Sequence, residues 1–215
     1  VRVPLALAPG VYRAGGLKLQ SGTQIVGVRG ATRITLTQGA SLLEGDFADR
    51  ITLSGLTLDG GGRPLPEGRG LVHLTTARGL RILDCEVLSS ARYGIFLENA
   101  EGDVRGNLIS AAANTGLFSL NARGLAIVGN TVRGSGNNGI QVWRGKPGDD
   151  GTMIVDNRIE AIDNRSGGSG QYGNAINVFR AANVIVRGNR IRNCAFTAVR
   201  GNAASNLQIE GNSIT

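Results

Sequence analysis

Between Leu125 and Val142 the chain reads LAIVGNTVRGSGNNGIQV. Apolar residues alternate at Leu125 and Ile127, a Gly129-Asn130 bend follows, Val132 marks a stub of strand, and a Gly- and Asn-rich loop leads to a second run at Ile140 and Val142. Period-two alternation cut every few residues by bend formers predicts two short strands and three turns, with no room for a helix. The same phrase recurs as Val104–Ile109, Ile154–Ile159, Val186–Ile191 and Ile209–Ile214, each built around one asparagine.

Asn107, Asn130, Asn157, Asn189 and Asn212 are separated by 23, 27, 32 and 23 residues, so a base unit near 23 carries insertions. One such unit cannot bury its apolar face alone and must stack on its neighbours. The Leu-x-x-Leu-x-Leu frame and helical segment of a leucine-rich repeat are missing. The expectation is therefore an all-β, single-stranded right-handed parallel β-helix, one coil per repeat, forming one elongated domain over residues 1–215. The Asn column reads as structural: Asn tolerates a left-handed bend, and stacked amides can bond from coil to coil.

Three segments interrupt the period: Asp59–Arg69, Arg144–Gly151 and Asp163–Gly173. Their Gly, Pro and charged residues predict surface loops, where function tends to sit on a rigid scaffold. If Val72, Ile95, Leu117, Ile140, Ile176 and Val199 point inward, alternation turns the next residue of each coil outward. That row is His73, Phe96, Phe118, Gln141, Asn177 and Arg200; the next outward row is Thr75, Glu98, Leu120, Trp143, Phe179 and Asn202. Four aromatic residues on a solvent-facing sheet point to a contact surface.

Composition sharpens the picture in two places. The 34 glycines suit a chain of tight turns, and five Phe, three Tyr and one Trp leave the core to aliphatic side chains. The formal net charge is +7, which favours an anionic partner. Nucleic acid is not expected, because the basic residues are scattered along the sequence. No apolar run approaches the roughly 18 residues of a membrane span. Cys85 aligns with the Asn column and Cys194 falls four coils later. At about 4.8 Å per stacked strand that is on the order of 19 Å, beyond the roughly 7 Å reach of a disulfide.

Two G-x-G-x-x-G matches, Gly134–Gly139 and Gly168–Gly173, lead into strands rather than a helix, which excludes a dinucleotide fingerprint. His73 is the sole histidine, so a His-rich metal site is excluded. Asp149 and Asp150, beside Arg144 and Lys146, are candidate oxygen ligands for calcium.

The opening, with Pro9-Gly10-Val11-Tyr12, Gly16-Leu17-Lys18-Leu19 and Ser21-Gly22-Thr23-Gln24-Ile25-Val26, resembles the first coils of the pectate-lyase-like right-handed β-helix superfamily. Taken whole, the chain is similar to the parallel β-helix repeat group of carbohydrate-binding proteins and sugar hydrolases, and to bacterial repeat proteins exported by the twin-arginine route. The resemblance implies a periplasmic or secreted protein whose signal segment has been removed, both chain ends looking cut from a longer protein. It implies no particular activity: the Asn-Thr-Asp, Asp-Asp-with-Gly-His-Gly and Asp-Pro-His-Asp signatures of its enzymes are missing or incomplete here.

Three functions follow as expectations. The first is a binding module for an extended, acidic polysaccharide, held by His73, Phe96, Glu98, Phe118, Gln141, Trp143, Asn177, Phe179 and Arg200. The second is a polysaccharide lyase or epimerase in which Arg144 or Arg180 removes a proton beside a cation on Asp149 and Asp150. The third is a scaffold whose aromatic row packs against another domain or subunit.

Overall fold

The computed structural model describes residues 3–215. Its strands form three parallel sheets, two of nine strands and one of eight. Sheet 1 runs from Leu5–Ala6 to Gln208–Glu210, sheet 2 from Gly10–Ala14 to Ser213–Ile214, and sheet 3 from Leu17–Lys18 to Val199–Asn202. Every third strand pairs with its equivalent one coil away, which makes the fold a parallel β-helix. The stub around Val132 is a full strand, Thr131–Arg133, so each regular coil holds three strands rather than two. Three residues are enough because neighbouring coils, not the coil itself, supply the hydrogen bonds.

The inward columns are the aliphatic positions of the repeat. Ile82, Val104, Ile127, Ile154 and Val186 stack in sheet 1 and Val87, Ile109, Val132 and Ile159 in sheet 2, all essentially buried. Ile95, Leu117, Ile140 and Ile176 do the same in sheet 3. Each such side chain contributes about 1.5–3 kcal/mol on burial. The terminal coils have one neighbour only, and there Leu5, Ile209 and Ile214 are more than half exposed.

The corner between sheets 1 and 2 carries the repeated asparagine. The left-handed residue is the one before it: Gly106, Gly129 and Gly188 have φ of 66°, 65° and 66°, and Asp84 and Asp156 take the same place at 50° and 55°. The asparagines themselves are not left-handed, which corrects the reason expected for them. Their role is the amide ladder, in which each Oδ1 accepts from the backbone N and from Nδ2 of the preceding Asn at 2.9–3.0 Å. The second Nδ2 hydrogen of each is given to a backbone carbonyl, such as Val104 O from Asn130. Buried amides are thus fully paired, as a low-dielectric interior requires. Cys85 heads the column, its backbone N donating to Asn107 Oδ1 at 2.8 Å.

All three insertions fall at the ends of sheet 3 strands. Residues 60–69 and 163–173 connect sheet 2 to sheet 3 as loops. Residues 144–149 are not a loop. They extend the strand Asn138–Asp149, which bulges between Trp143 and Gly148 and then re-pairs through Gly148 with Ala181 and Asp149 with Ala182. The bulge is held because Arg144 Nη1 donates to Ala122 O at 3.2 Å and Arg180 Nη1 to Gly145 O at 3.0 Å. Neither G-x-G-x-x-G segment opens a helix; both lead into sheet 3 strands.

Candidate functional site

The outer face of sheet 3 presents two side-chain rows with the register expected. Glu44, His73, Phe96, Phe118, Gln141, Asn177 and Arg200 align strand by strand. So do Asp46, Thr75, Glu98, Leu120, Trp143, Phe179 and Asn202. Loops 60–69 and 163–173 stand along one edge of this face and the 144–148 bulge along the other, so the face is the floor of a trough.

The rings form one continuous series. His73 stacks on Phe96 with centroids 4.5 Å apart and planes 5° from parallel. Phe96 meets Phe118 edge-on at 5.2 Å, Phe118 meets Trp143 at 5.4 Å, and Trp143 meets Phe179 at 5.4 Å. Tyr93 covers Phe96 and Phe118 at 5.6 and 5.3 Å. Such pairs favour edge and offset geometries and add about 0.5–1.5 kcal/mol each beyond area burial.

This packing alters the expected ligand set. The first row is not solvent-facing: Phe96, Phe118 and His73 are 7–8% exposed, Gln141 3% and Asn177 0%. They form a second, external core, with the loop 163–173 drawn over its end. Asn177 Nδ2 and Asn138 Nδ2 both donate to Gln171 O, at 2.9 and 3.2 Å, and Thr115 Oγ1 donates to Gln141 Oε1 at 2.6 Å. The partly open side chains are Glu98, Leu120, Trp143, Phe179 and Arg200. Two buried polar atoms of the floor, Asn177 Oδ1 and Trp143 Nε1, have no hydrogen-bond partner within the protein.

His73 is fixed rather than free. Its Nδ1 accepts from Gly70 N at 3.3 Å, and burial, with Arg69 nearby, lowers its pKa to about 4. It is a neutral stacking platform near pH 7.

Arg144 and Arg180 are committed to the bulge, and Arg180 also lies over the Phe179 ring at 4.7 Å. Both guanidinium groups are thereby held by partners within the protein. Asp149 and Asp150 do not share a ligand sphere: Asp149 Oδ1 accepts from Asn183 Nδ2 at 2.7 Å. Asp150, buried beneath the bulge, accepts from Thr152 Oγ1 at 2.5 Å and faces Arg144 Nη1 at 3.8 Å. Burial pushes its carboxyl pKa up against the pull of Thr152 and Arg144. The two carboxylates are thus held by different partners, and among the described residues no three His, Cys, Asp or Glu side chains cluster as a metal site would need them to.

Three carboxylates and two cations that the sequence did not single out share the N-terminal end of the trough with Glu98. A cleft of about 450 Å³ is lined by Lys18, Glu44, Asp46, Arg69, His73 and Thr75, among others. Arg69 Nη2 contacts Glu44 Oε2 at 2.5 Å and Thr75 Oγ1 donates to Asp46 Oδ1 at 2.5 Å. The coils here have irregular lengths, so Glu44 and Asp46 could not be aligned with His73 and Thr75 from spacing alone. The third carboxylate, Glu67, lies on the loop that carries Arg69 and near Tyr93.

Residues 33–159, more than half of the chain, match the family described as the right handed beta helix region, and the chain belongs to that family. No curated protein sequence matches it. Tailspike protein 2 of the Escherichia coli O157:H7 bacteriophage CAB120 is similar in structure, with a TM-score of 0.78 at 13% identity over 98% of this chain and 31% of the tailspike. The N-terminal fragment of gene product 12 of bacteriophage phi29 gives 0.69 at 16% identity over 95% of this chain and 42% of that one. The A-module of the Azotobacter vinelandii mannuronan C-5 epimerase AlgE4 gives 0.54 at 15% identity over 99% and 90%. The chain therefore spans less than half of the two phage proteins. These likenesses establish the fold that the repeat predicted.

Proposed function

We propose that the protein binds an extended polysaccharide along the outer face of sheet 3. One observation carries this reading: Trp143 and Phe179, 5.4 Å apart and partly open, lie side by side on a rigid trough floor bounded by all three insertions. Ring faces of this kind pack against the C–H faces of sugars, and the polar rim offers hydroxyl and carboxylate partners. Arg180 and Arg200 at the C-terminal end favour an acidic polymer, since guanidinium groups pair with carboxylates in bidentate fashion. The similarity in fold to a module named for mannuronan is consistent with a carbohydrate ligand.

Binding is tested by affinity electrophoresis in gels containing polygalacturonate, alginate or neutral glucan. Retardation by one polymer is expected, reduced about tenfold in apparent affinity by Phe179→Ala. Unretarded migration in every gel would contradict the reading.

A catalytic reading has one observation in its favour, the carboxylates Glu44, Asp46 and Glu98 along the N-terminal half of the same floor. They, rather than Arg144 and Arg180, are the groups a sugar-cleaving activity would use. New reducing ends without new ultraviolet absorbance would indicate hydrolysis, and absorbance from an unsaturated uronide would indicate a lyase.

A further inference from the structure

Four of the 23 basic residues, dispersed in sequence, are gathered at one end of sheet 2. Its outward positions over the strands Thr131–Arg133, Arg158–Ile162 and Arg190–Cys194 carry Arg133, Arg158, Arg190 and Arg192 against a single carboxylate, Glu160. Arg158 and Arg190 are direct register partners on adjacent strands, and like charges placed opposite one another destabilise a sheet. Glu160 offsets two of the four: Arg158 Nε lies 3.1 Å and Arg192 Nη2 2.7 Å from its Oε2. Burial alone would raise its carboxyl pKa, but the bonds and charges of Arg158 and Arg192 together hold it below the ordinary range. Arg133 and Arg190 are exposed, and among the described residues neither makes an ion pair: Arg133 has Glu160 opposite it in register but unbonded, and Arg190 lies between Arg158 and Ser213. A shallow depression of about 250 Å³ opens between Arg158, Arg190, Arg192 and Ser213. Nearer the N-terminus the same face is balanced, with Arg33 paired to Asp59 at 2.6 Å.

We propose that this arginine face of sheet 2 is a binding surface for an acidic polysaccharide lying along the helix axis, separate from the trough on sheet 3. Guanidinium groups recur there at the strand spacing of about 4.8 Å, so a linear polymer with a negative group on each sugar meets a cation at each coil. An arrangement that costs stability when empty of anions becomes favourable when carboxylates or sulfates bridge neighbouring arginines. The outward positions of these three strands carry no aromatic side chain to stack bases, as single-stranded nucleic acid needs. They carry no apolar side chain to enter a lipid interface either.

The test is retention on immobilised polygalacturonate and on immobilised oligodeoxythymidylate, eluted with a sodium chloride gradient. The Arg133→Gln/Arg190→Gln variant is compared with Arg81→Gln/Arg187→Gln, which removes the same charge from sheet 1. The account expects the first variant to elute from polygalacturonate at clearly lower salt, with about tenfold weaker binding, and the control to elute close to the native protein. Thermal melting of the first variant should be unchanged or raised, since it removes like-charge repulsion. Trp143 fluorescence reports the sheet 3 trough in the same samples, so the two surfaces fail or succeed separately. Equal losses in both variants would reduce the effect to net charge and overturn the proposal, and so would tighter retention on the oligonucleotide.

Discussion

Asn130 Oδ1 lies 2.9 Å from both the backbone N and the side-chain Nδ2 of Asn107, one coil earlier. One oxygen therefore ties two coils together twice, adding to the backbone bonds that cross the same corner, such as Thr131 N to Asn107 O at 2.8 Å. Repeated through Asn212, this contact explains why the asparagine is the most regular letter in the chain.

Asn130→Ala strands two buried donors of Asn107. At about 1–3 kcal/mol per unsatisfied group, a loss of roughly 3 kcal/mol is expected, lowering Tm by roughly 6–12 °C for a protein of this size. Asn212→Ala, in a terminal coil with a half-open ladder, should cost less. Differential scanning calorimetry decides; equal melting of Asn130→Ala and the native protein would contradict a structural ladder.

The positions before Leu117 and Ile140 are Gly116 and Gly139 for lack of space. A Cβ on Gly139 would sit 2.5 Å from Ala175 O and 2.7 Å from Ile159 Cγ2, and one on Gly116 would sit 2.5 Å from Val132 Cγ1. Gly139→Ala should destabilise by about 1–3 kcal/mol, read from urea unfolding. In the following coil the same position is Ala175, where Ala175→Gly should be mild.

Stability should fall as the solution is acidified through the histidine range. His73 has a folded pKa of about 4, below its ordinary 6.5, so the unfolded chain binds the proton first. Its contribution is fully present above pH 6.5 and is lost as pH drops toward 4. Burial against Phe96 is the main cause and Arg69 adds to it. In His73→Phe the melting temperature should vary less between pH 7 and 4.5; an identical pH profile would refute the assignment.

The two thiols should differ in reactivity and never pair. Cys85 is buried, and burial raises its pKa to about 11, while Cys194 is partly exposed with a raised pKa. N-Ethylmaleimide at pH 7 should label Cys194 first, with Cys85 reacting only on unfolding, as read by peptide mass spectrometry.

The fold was legible because the inward aliphatic positions and the asparagine corner repeat together. Given Ile95 and Ile140 as inward, both outward rows of sheet 3 followed residue by residue, and the four coils between Cys85 and Cys194 kept the thiols apart. What covers those rows was not legible. Burial of Asn177 depends on the Gln171 carbonyl of a loop folding back over the sheet, a tertiary contact with no period. Arg144–Gly151 has loop composition yet extends a strand, because Arg144 and Arg180 satisfy carbonyls around the bulge. The arginine face was not legible for a related reason: Arg158 and Arg190 each follow a ladder asparagine, but only the stacking of coils sets them on adjacent strands with Arg133 one coil earlier.

The central claim is that the outer face of sheet 3 is a polysaccharide-binding floor, and its direct reporter is Trp143, the one tryptophan of the chain. Its fluorescence should be titrated with oligogalacturonates, alginate oligosaccharides and neutral oligosaccharides. The account predicts a saturable shift with one of the acidic series, weakened in Phe179→Ala and unaffected in Arg133→Gln/Arg190→Gln. Emission that stays constant across the whole series, in a protein of native stability, would contradict it.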